Sequence, residues 1–216
     1  MPMLRRIVVN QVLWGLLLTV IAGCEVFDPP IYHAEKTWDT LWYVGASPEV
    51  VIHVYAGRIR VTRGSDGEVR ASFRVSRISK NSQEVADQAV KSARGFFAQT
   101  QVGGTIRIIE GEGAAAECSV DISIPAGSRL DLRATGNICV GCPEAFTIAS
   151  LKARTGEVGS IETNLLSRPF EAPHLDLDVD NPDNLMLILD GVRVDLRPAS
   201  NYDQASKSVR WRYRSE

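Results

Sequence analysis

The sequence predicts a mainly β protein: a single-stranded β-solenoid or β-helix-like domain with one amphipathic helix, a β-sandwich being the alternative. Three observations carry this. Short stretches of period-two alternation recur from Glu49 onward, glycine or charged turns interrupt them, and segments about twenty residues apart look alike. A spacing near twenty is about one coil of a stacked β-structure, in which each turn buries its aliphatics only against the next. Sandwich strands also recur at short intervals, but here glycine at the corner and inward aliphatics recur together.

The chain opens with Arg5 and Arg6, runs through an apolar segment from Val12 to Ile21, and reaches Ala22 and Gly23 before Cys24. A basic end, a short apolar core and small residues at a cut site are the layout of a secretory signal. The core is about ten residues, and a helix crossing a bilayer takes roughly 20, so cleavage is expected rather than a retained span. Ile21-Ala22-Gly23-Cys24 resembles the lipobox of bacterial lipoproteins. That resemblance implies diacylglycerol on the Cys24 thiol, cleavage just before it, and a second acylation (palmitate-type) of the new amino terminus. More than one chain makes attachment stable rather than marginal. The alternative is an ordinary signal peptide with a chance cysteine. Glu25, not Asp, follows, so the inner-membrane retention signal of some bacteria is absent. The domains expected are residues 1–23 as signal peptide, 24–36 as a short tether carrying Pro29 and Pro30, and 37–216 as one β-rich domain.

Removal of residues 1–23 leaves 22 basic against 26 acidic side chains, a formal balance of −4, which does not favour nucleic acid. Val50-Ile52-Val54, Ile59-Val61 and Val69-Ala71-Phe73-Val75 alternate as strands, broken at Ala56-Gly57 and Gly64-Ser65-Asp66-Gly67. One segment has helical spacing instead: Val85, Ala89, Val90, Ala93, Phe96 and Phe97. Asn81 with Glu84 can form a capping box, and an amphipathic helix is expected over about 82–99, ending before Gly103-Gly104. Beyond it, LDLRATGNICV (130–140) and LKARTGEVGSI (151–161) share apolar, charged, apolar, Arg, then Thr-Gly, with Gly136 and Gly156 twenty residues apart. HLDLDVDN and DGVRVDLR repeat the theme more loosely, Gly191 again preceding Val-x-Val.

The order of early strands, helix, GGTIRIIEGEG, then CSVDISIPAGSRLDLRATGNICV resembles a bacterial family of extracytoplasmic domains of unknown function known as putative adhesins. Val120, Ile122, Ile124, Pro125, Gly127, Leu130, Leu132, Gly136, Ile138 and Val140 match its core pattern, over roughly Glu49 to Leu196. The resemblance implies stacked β-coils and a surface role without a defined ligand. This chain has only a few coils.

Three cysteines besides Cys24 are disulfide candidates: Cys118, Cys139 and Cys142. Exported proteins meet oxidising conditions, and strand parity favours Cys118 to Cys142, with Cys139 to Cys142 next. Cys139-x-x-Cys142 has redox-motif spacing but does not open a helix after a strand. No histidine is near in sequence, so no metal site is expected there. In DLDVDNPD, Asp176, Asp178 and Asp180 mimic the first half of a calcium loop, but Asn181 stands where glycine is required and Leu187 where glutamate belongs. Alternation with Leu175, Leu177 and Val179 makes these aspartates the solvated face of a strand, a possible binding face. In SVRWRYR, Arg210, Arg212 and Arg214 alternate with Val209, Trp211 and Tyr213, as in a final strand; contact with anionic lipid or glycan is the alternative. His33, His53 and His174 stand beside no nucleophile, and neither Gly-x-Ser-x-Gly nor a phosphate loop occurs.

The function expected is a bacterial envelope lipoprotein, extracytoplasmic and lipid-anchored to the membrane through acylated Cys24. It would act as a structural or adhesin-like binding module toward an unknown envelope protein or glycan, with no cofactor and no catalysis. The alternatives are an enzyme acting on envelope or extracellular polysaccharide, and a regulatory lipoprotein whose partner is encoded nearby.

Overall fold

The computed structural model describes residues 30–92, 97–111, 117–167, 173–194, 201–203 and 208–213, the last two segments by backbone alone. The chain divides into two units, Met1–Ile31 and Tyr32–Glu216. The segment expected as a signal peptide, with Cys24, lies outside the described residues, as do 93–96. The second unit holds every described strand and the described helix.

Its elements run β1 (Tyr32–Tyr43), β2 (Glu49–Val54), β3 (Gly57–Arg63), β4 (Glu68–Ser79), helix α1 (Gln83–Ser92), β5 (Phe97–Val102) and β6 (Thr105–Glu110). Then come β7 (Glu117–Ile124), β8 (Arg129–Ala134), β9 (Ile138–Val140), β10 (Phe146–Thr147), β11 (Ser150–Arg154) and β12 (Ile161–Leu166). The chain finishes with β13 (His174–Val179), β14 (Leu185–Leu189), β15 (Val192–Arg193), β16 (Asn201–Asp203) and β17 (Ser208–Tyr213). The unit is thus mainly β with one short helix, in two mixed sheets. One sheet is ordered β1-β4-β7-β3-β9-β12-β14-β15, with β10 beside β12; the other is β16-β17-β13-β11-β8-β2-β6-β5. Both are parallel through their centres and antiparallel toward their ends.

The chain passes back and forth between these sheets, and each pass stacks its inward aliphatics on the next. In one sheet Ile106, Val50, Leu130, Leu151 and Leu175 fall in register, and beside them Ile108, Ile52, Leu132, Ala153 and Leu177. In the other, Val120, Ile59, Ile138, Ile161 and Leu185 do the same. These rows face one another and form one continuous core. Burying a Leu or Ile side chain there contributes about 2 kcal/mol, and a single rung has nothing to bury against. The alternating segments expected as strands from Val50 to Val75 are strands, with their apolar members buried.

The stacking departs from a plain succession of coils. From β8–β9 onward, rungs β11–β12 and β13–β14 follow in chain order. The earlier β2–β3 rung, however, lies between β6–β7 and β8–β9. The chain therefore passes the β2–β3 rung on its way from β7 to β8. There Val50, Ile52, Ile59 and Val61 are fully buried, with an aliphatic row on each side.

Four expectations are corrected. The helix does not span 82–99. It ends at Ser92 among the described residues, and Phe97 to Gln99 belong to strand β5. Phe97 is drawn into an aromatic group with Trp38 and Phe73, ring centroids 5.8 and 5.4 Å away, and Gly103-Gly104 turns β5 back onto β6. Packing thus overrides helical spacing. The cap is Ser82, whose Oγ accepts a hydrogen bond from Val85 N–H at 3.2 Å, not the box of Asn81 and Glu84. Tyr32 to Lys36, expected in the tether, already form strand β1 against β4. Finally, Val192 does not begin another coil: Asp190-Gly191, with φ of 52° and 77°, turns β15 antiparallel onto β14.

At the β1 and β5 end the two sheets are joined by side chains. Phe97 of β5 meets the Trp38 and Phe73 rings, which stack on each other within the first sheet at 5.0 Å, Thr40 Oγ1 donates to Gln99 Oε1 at 3.1 Å, and Gln101 Nε2 donates to the Tyr43 carbonyl at 2.7 Å. Helix α1 lays Ala86 and Val90 on Ala34 and Tyr32 as a small separate cluster.

Candidate functional site

Strand alternation that sends leucines inward sends a charged set outward on the second sheet. Asp131, Lys152 and Asp176 form one row in register across β8, β11 and β13; His53, Arg133, Arg154 and Asp178 form the next, beginning on β2. Neighbouring positions in a row are one strand spacing apart, about 4.8 Å, and rows are separated by about 7 Å along the strands. Arg133, Lys152, Arg154, Asp131, Asp176 and Asp178 line a shallow depression floored by Ala153.

Asp131 is the hub. Lys152 Nζ lies 3.8 Å from its Oδ2, while His53 Nε2 and Arg133 Nε lie 3.8 and 3.7 Å from its Oδ1. Oδ1 and His53 Nε2 face each other and are shielded from solvent. Desolvation pulls the His53 pKa down, Arg133 adds to this and Asp131 opposes it, so the imidazole is neutral near pH 7. Arg154 directs Nε and Nη2 onto Asp178 Oδ2 at 2.9 and 2.5 Å. Arg133 and Arg154 are direct cross-strand neighbours. Such like-charge pairs destabilise a sheet unless something anionic lies over them, and Asp131 and Asp178 flank this one.

The sequence therefore placed Asp176 and Asp178 correctly on an outward strand face, but not Asp180, which lies in the bend after β13. Their companions Asp131, Lys152 and Arg154 come from other strands. Their signal was the likeness of LDLR to LKAR, read as a repeat and not as facing rows. For SVRWRYR, β17 pairs antiparallel with β13, Arg210 opposite Asp178 and Arg212 opposite Asp176; its side chains lie outside the described residues.

The three described cysteines are free thiols. The bridge from Cys118 to Cys142 is excluded by register. Cys118 pairs with Gly57 at the start of β3 and points into the core, whereas Cys142 follows Val140, which pairs with Val61. Four residues of strand separate those positions, about 13 Å, against the 7 Å or less between Cα atoms that a disulfide allows. Burial, with Glu110 nearby, pushes the Cys118 thiol far up. Cys139 and Cys142 lie together on the outer face of the other sheet, and Glu162 of β12, opposite Cys139 in register, completes a group whose ligand atoms lie within 4.8 Å of one another. Sequence reading missed Glu162 because the Thr-Gly likeness sets Cys139 against Gly159.

No protein-family profile and no curated protein sequence matches the chain. Among solved structures it is similar, distantly, to a putative cell adhesion protein from Clostridium sporogenes, with 8% identity and a TM-score of 0.36 over 61% of this chain and 68% of that one. Putative adhesins from Parabacteroides distasonis and Bacteroides fragilis give 13% and 9% identity with TM-scores of 0.34 and 0.32. The match covers 61% of this chain and 58% and 54% of theirs.

Proposed function

We propose that the protein is a bacterial envelope lipoprotein, anchored through acylated Cys24, whose rungs stack as a short β-solenoid with β2–β3 intercalated. It acts as a binding module through the outward charged face of the second sheet. The observation that carries this is the pair of ordered rows, Asp131-Lys152-Asp176 and His53-Arg133-Arg154-Asp178, on the outward face of the sheet. A flat rank of carboxylates and guanidinium forks offers paired donors and acceptors, which suits an envelope glycan with acidic or multiply hydroxylated sugars.

Catalysis on polysaccharide is the weaker reading. Asp131 and Asp176 are two strand spacings apart, about 10 Å, and Lys152 stands between them where a two-carboxylate mechanism places water. The test has two arms. Lipid labelling of the full chain should be lost in Cys24→Ser. The full chain in detergent should bind purified envelope polysaccharide, weaken with salt, and lose binding in a Lys152→Ala, Arg154→Ala double variant. Binding indifferent to both salt and the double variant removes this face from consideration, and polysaccharide cleavage would replace the module with an enzyme.

A further inference from the structure

A second polar group lies on the other sheet, and its chemistry is different. Cys139 stands on β9 directly beside Glu162 on β12, both facing outward while Ile138, Val140, Ile161 and Thr163 face the core. Three residues on from Cys139, an extended chain would carry Cys142 away along the strand direction. Gly141 prevents this. It adopts φ of 76°, its N–H donates to the Val61 carbonyl at 2.9 Å, and a Cβ there would overlap the Asn164 carbonyl oxygen. The left-handed turn folds Cys142 back over β9 and brings its sulfur to Cys139 and Glu162.

We propose that Cys139, Cys142 and Glu162 bind one thiophilic divalent cation of the zinc class. Two thiolates separated by two residues, with a third ligand from a neighbouring strand, are the spacing and ligand types zinc accepts. Ligand atoms within 4.8 Å of one another need to close by about 1 Å to meet the distances of a tetrahedral site, within the reach of rotamer changes on an outer face. A fourth position would be left for water or a partner's ligand. Two further neighbours suit such a site. Arg60 is beside Cys139 in register and offsets the negative charge of three anionic ligands, and Met186 is beside Glu162 on its other side.

Without metal, burial and the neighbouring Cys139 and Glu162 push the Cys142 thiol up, so it is protonated at neutral pH. Binding therefore exchanges protons for metal, thiol protons leaving to solvent as the sulfur–metal bonds form. No oxidant or reductant is consumed. A simple disulfide between the two cysteines would leave Glu162 without a role, which is why the cation is favoured over redox pairing. The site stands apart from the charged face, and neither reading depends on the other.

The test uses the full chain purified with reductant and then stripped with chelator. Titrated cobalt(II) should bind at one equivalent with a thiolate-to-cobalt charge-transfer band and the intense visible bands of tetrahedral geometry, and zinc should bleach both. Cys142→Ser should abolish the charge-transfer band, and Cys118→Ser should leave it unchanged. Glu162→Gln, at an exposed position that does not threaten folding, should retain both thiols but weaken binding at least tenfold. The proposal is overturned if the reduced protein shows no cobalt band, if Glu162→Gln binds as tightly as the parent, or if protein isolated without reductant holds a Cys139–Cys142 disulfide and no metal.

Discussion

The stacked rows make a demand on volume that a double substitution can measure. Leu132 and Ala153 are cross-strand neighbours in one inward layer, between Ile52 on one side and Leu177 on the other, and both are almost fully buried. Leu132→Ala removes three carbons from a site without access to water, which costs about 3 to 4 kcal/mol in transfer and cavity terms. Ala153→Leu adds the same three carbons to a filled layer and costs about 1 to 3 kcal/mol through overpacking. If the layer is continuous, the double variant moves the leucine one rung along and restores total volume. Its cost should then fall at least 1 kcal/mol below the combined cost of the singles. Urea unfolding reads this directly, and each kcal/mol also shifts Tm by roughly 2 to 4 °C for a unit of this size. Additivity within about 0.5 kcal/mol would refute the register on which the fold description rests.

Other consequences are local. Thr163 sits in an aliphatic row, wholly buried, with its Oγ1 unpartnered, so Thr163→Val should stabilise by about 1 kcal/mol in the same urea assay; a loss would mean the hydroxyl is satisfied. Glu110 is buried, its Oε2 accepting from the Tyr55 and Ala56 N–H groups at 2.7 and 3.4 Å, and desolvation raises its pKa in spite of those bonds. A carboxyl raised in the folded state stabilises below its unfolded pKa and loses that contribution as pH climbs through its folded one. Glu110→Gln should therefore gain stability relative to the parent as pH rises above the ordinary glutamate pKa, and a difference constant with pH would contradict the desolvation argument. Thiol labelling of the Cys24→Ser protein should modify Cys139 while it is folded and Cys118 only on unfolding; early modification of Cys118 would contradict its burial. Arg154→Ala should cost no more than about 1 kcal/mol despite its short pair with Asp178, because the guanidinium is exposed.

Much of the β architecture was legible because period-two alternation is a local property. Val50, Ile52, Val54, Ile59 and Val61 announced buried faces without reference to any partner. The similarity of LDLR and LKAR marked two strands that pair in parallel, Asp131 beside Lys152 and Arg133 beside Arg154. Loop length was harder to see. Three residues separate β8 from β9 and six separate β11 from β12, so Leu130 pairs with Leu151 at an offset of 21 while Ile138 pairs with Ile161 at 23. Matching glycines at twenty thus hid Glu162. The helix boundary failed for a related reason: Phe97 satisfies helical spacing, but its ring finds Trp38 and Phe73, residues far away in sequence.

By itself the sequence determined the mainly β class, the inward and outward assignment of the alternating segments at Val50–Val54, Ile59–Val61 and Val69–Val75, and the outward placement of Asp176 and Asp178, since all of these follow from the two-residue period of an extended backbone. The tertiary structure alone decided which strands are neighbours. Nothing local tells β2 and β3 to insert between β6–β7 and β8–β9, or brings Glu162 to Cys139, because one rung's buried face is satisfied by any well-matched aliphatic row and the choice among rows is made by packing the whole stack at once.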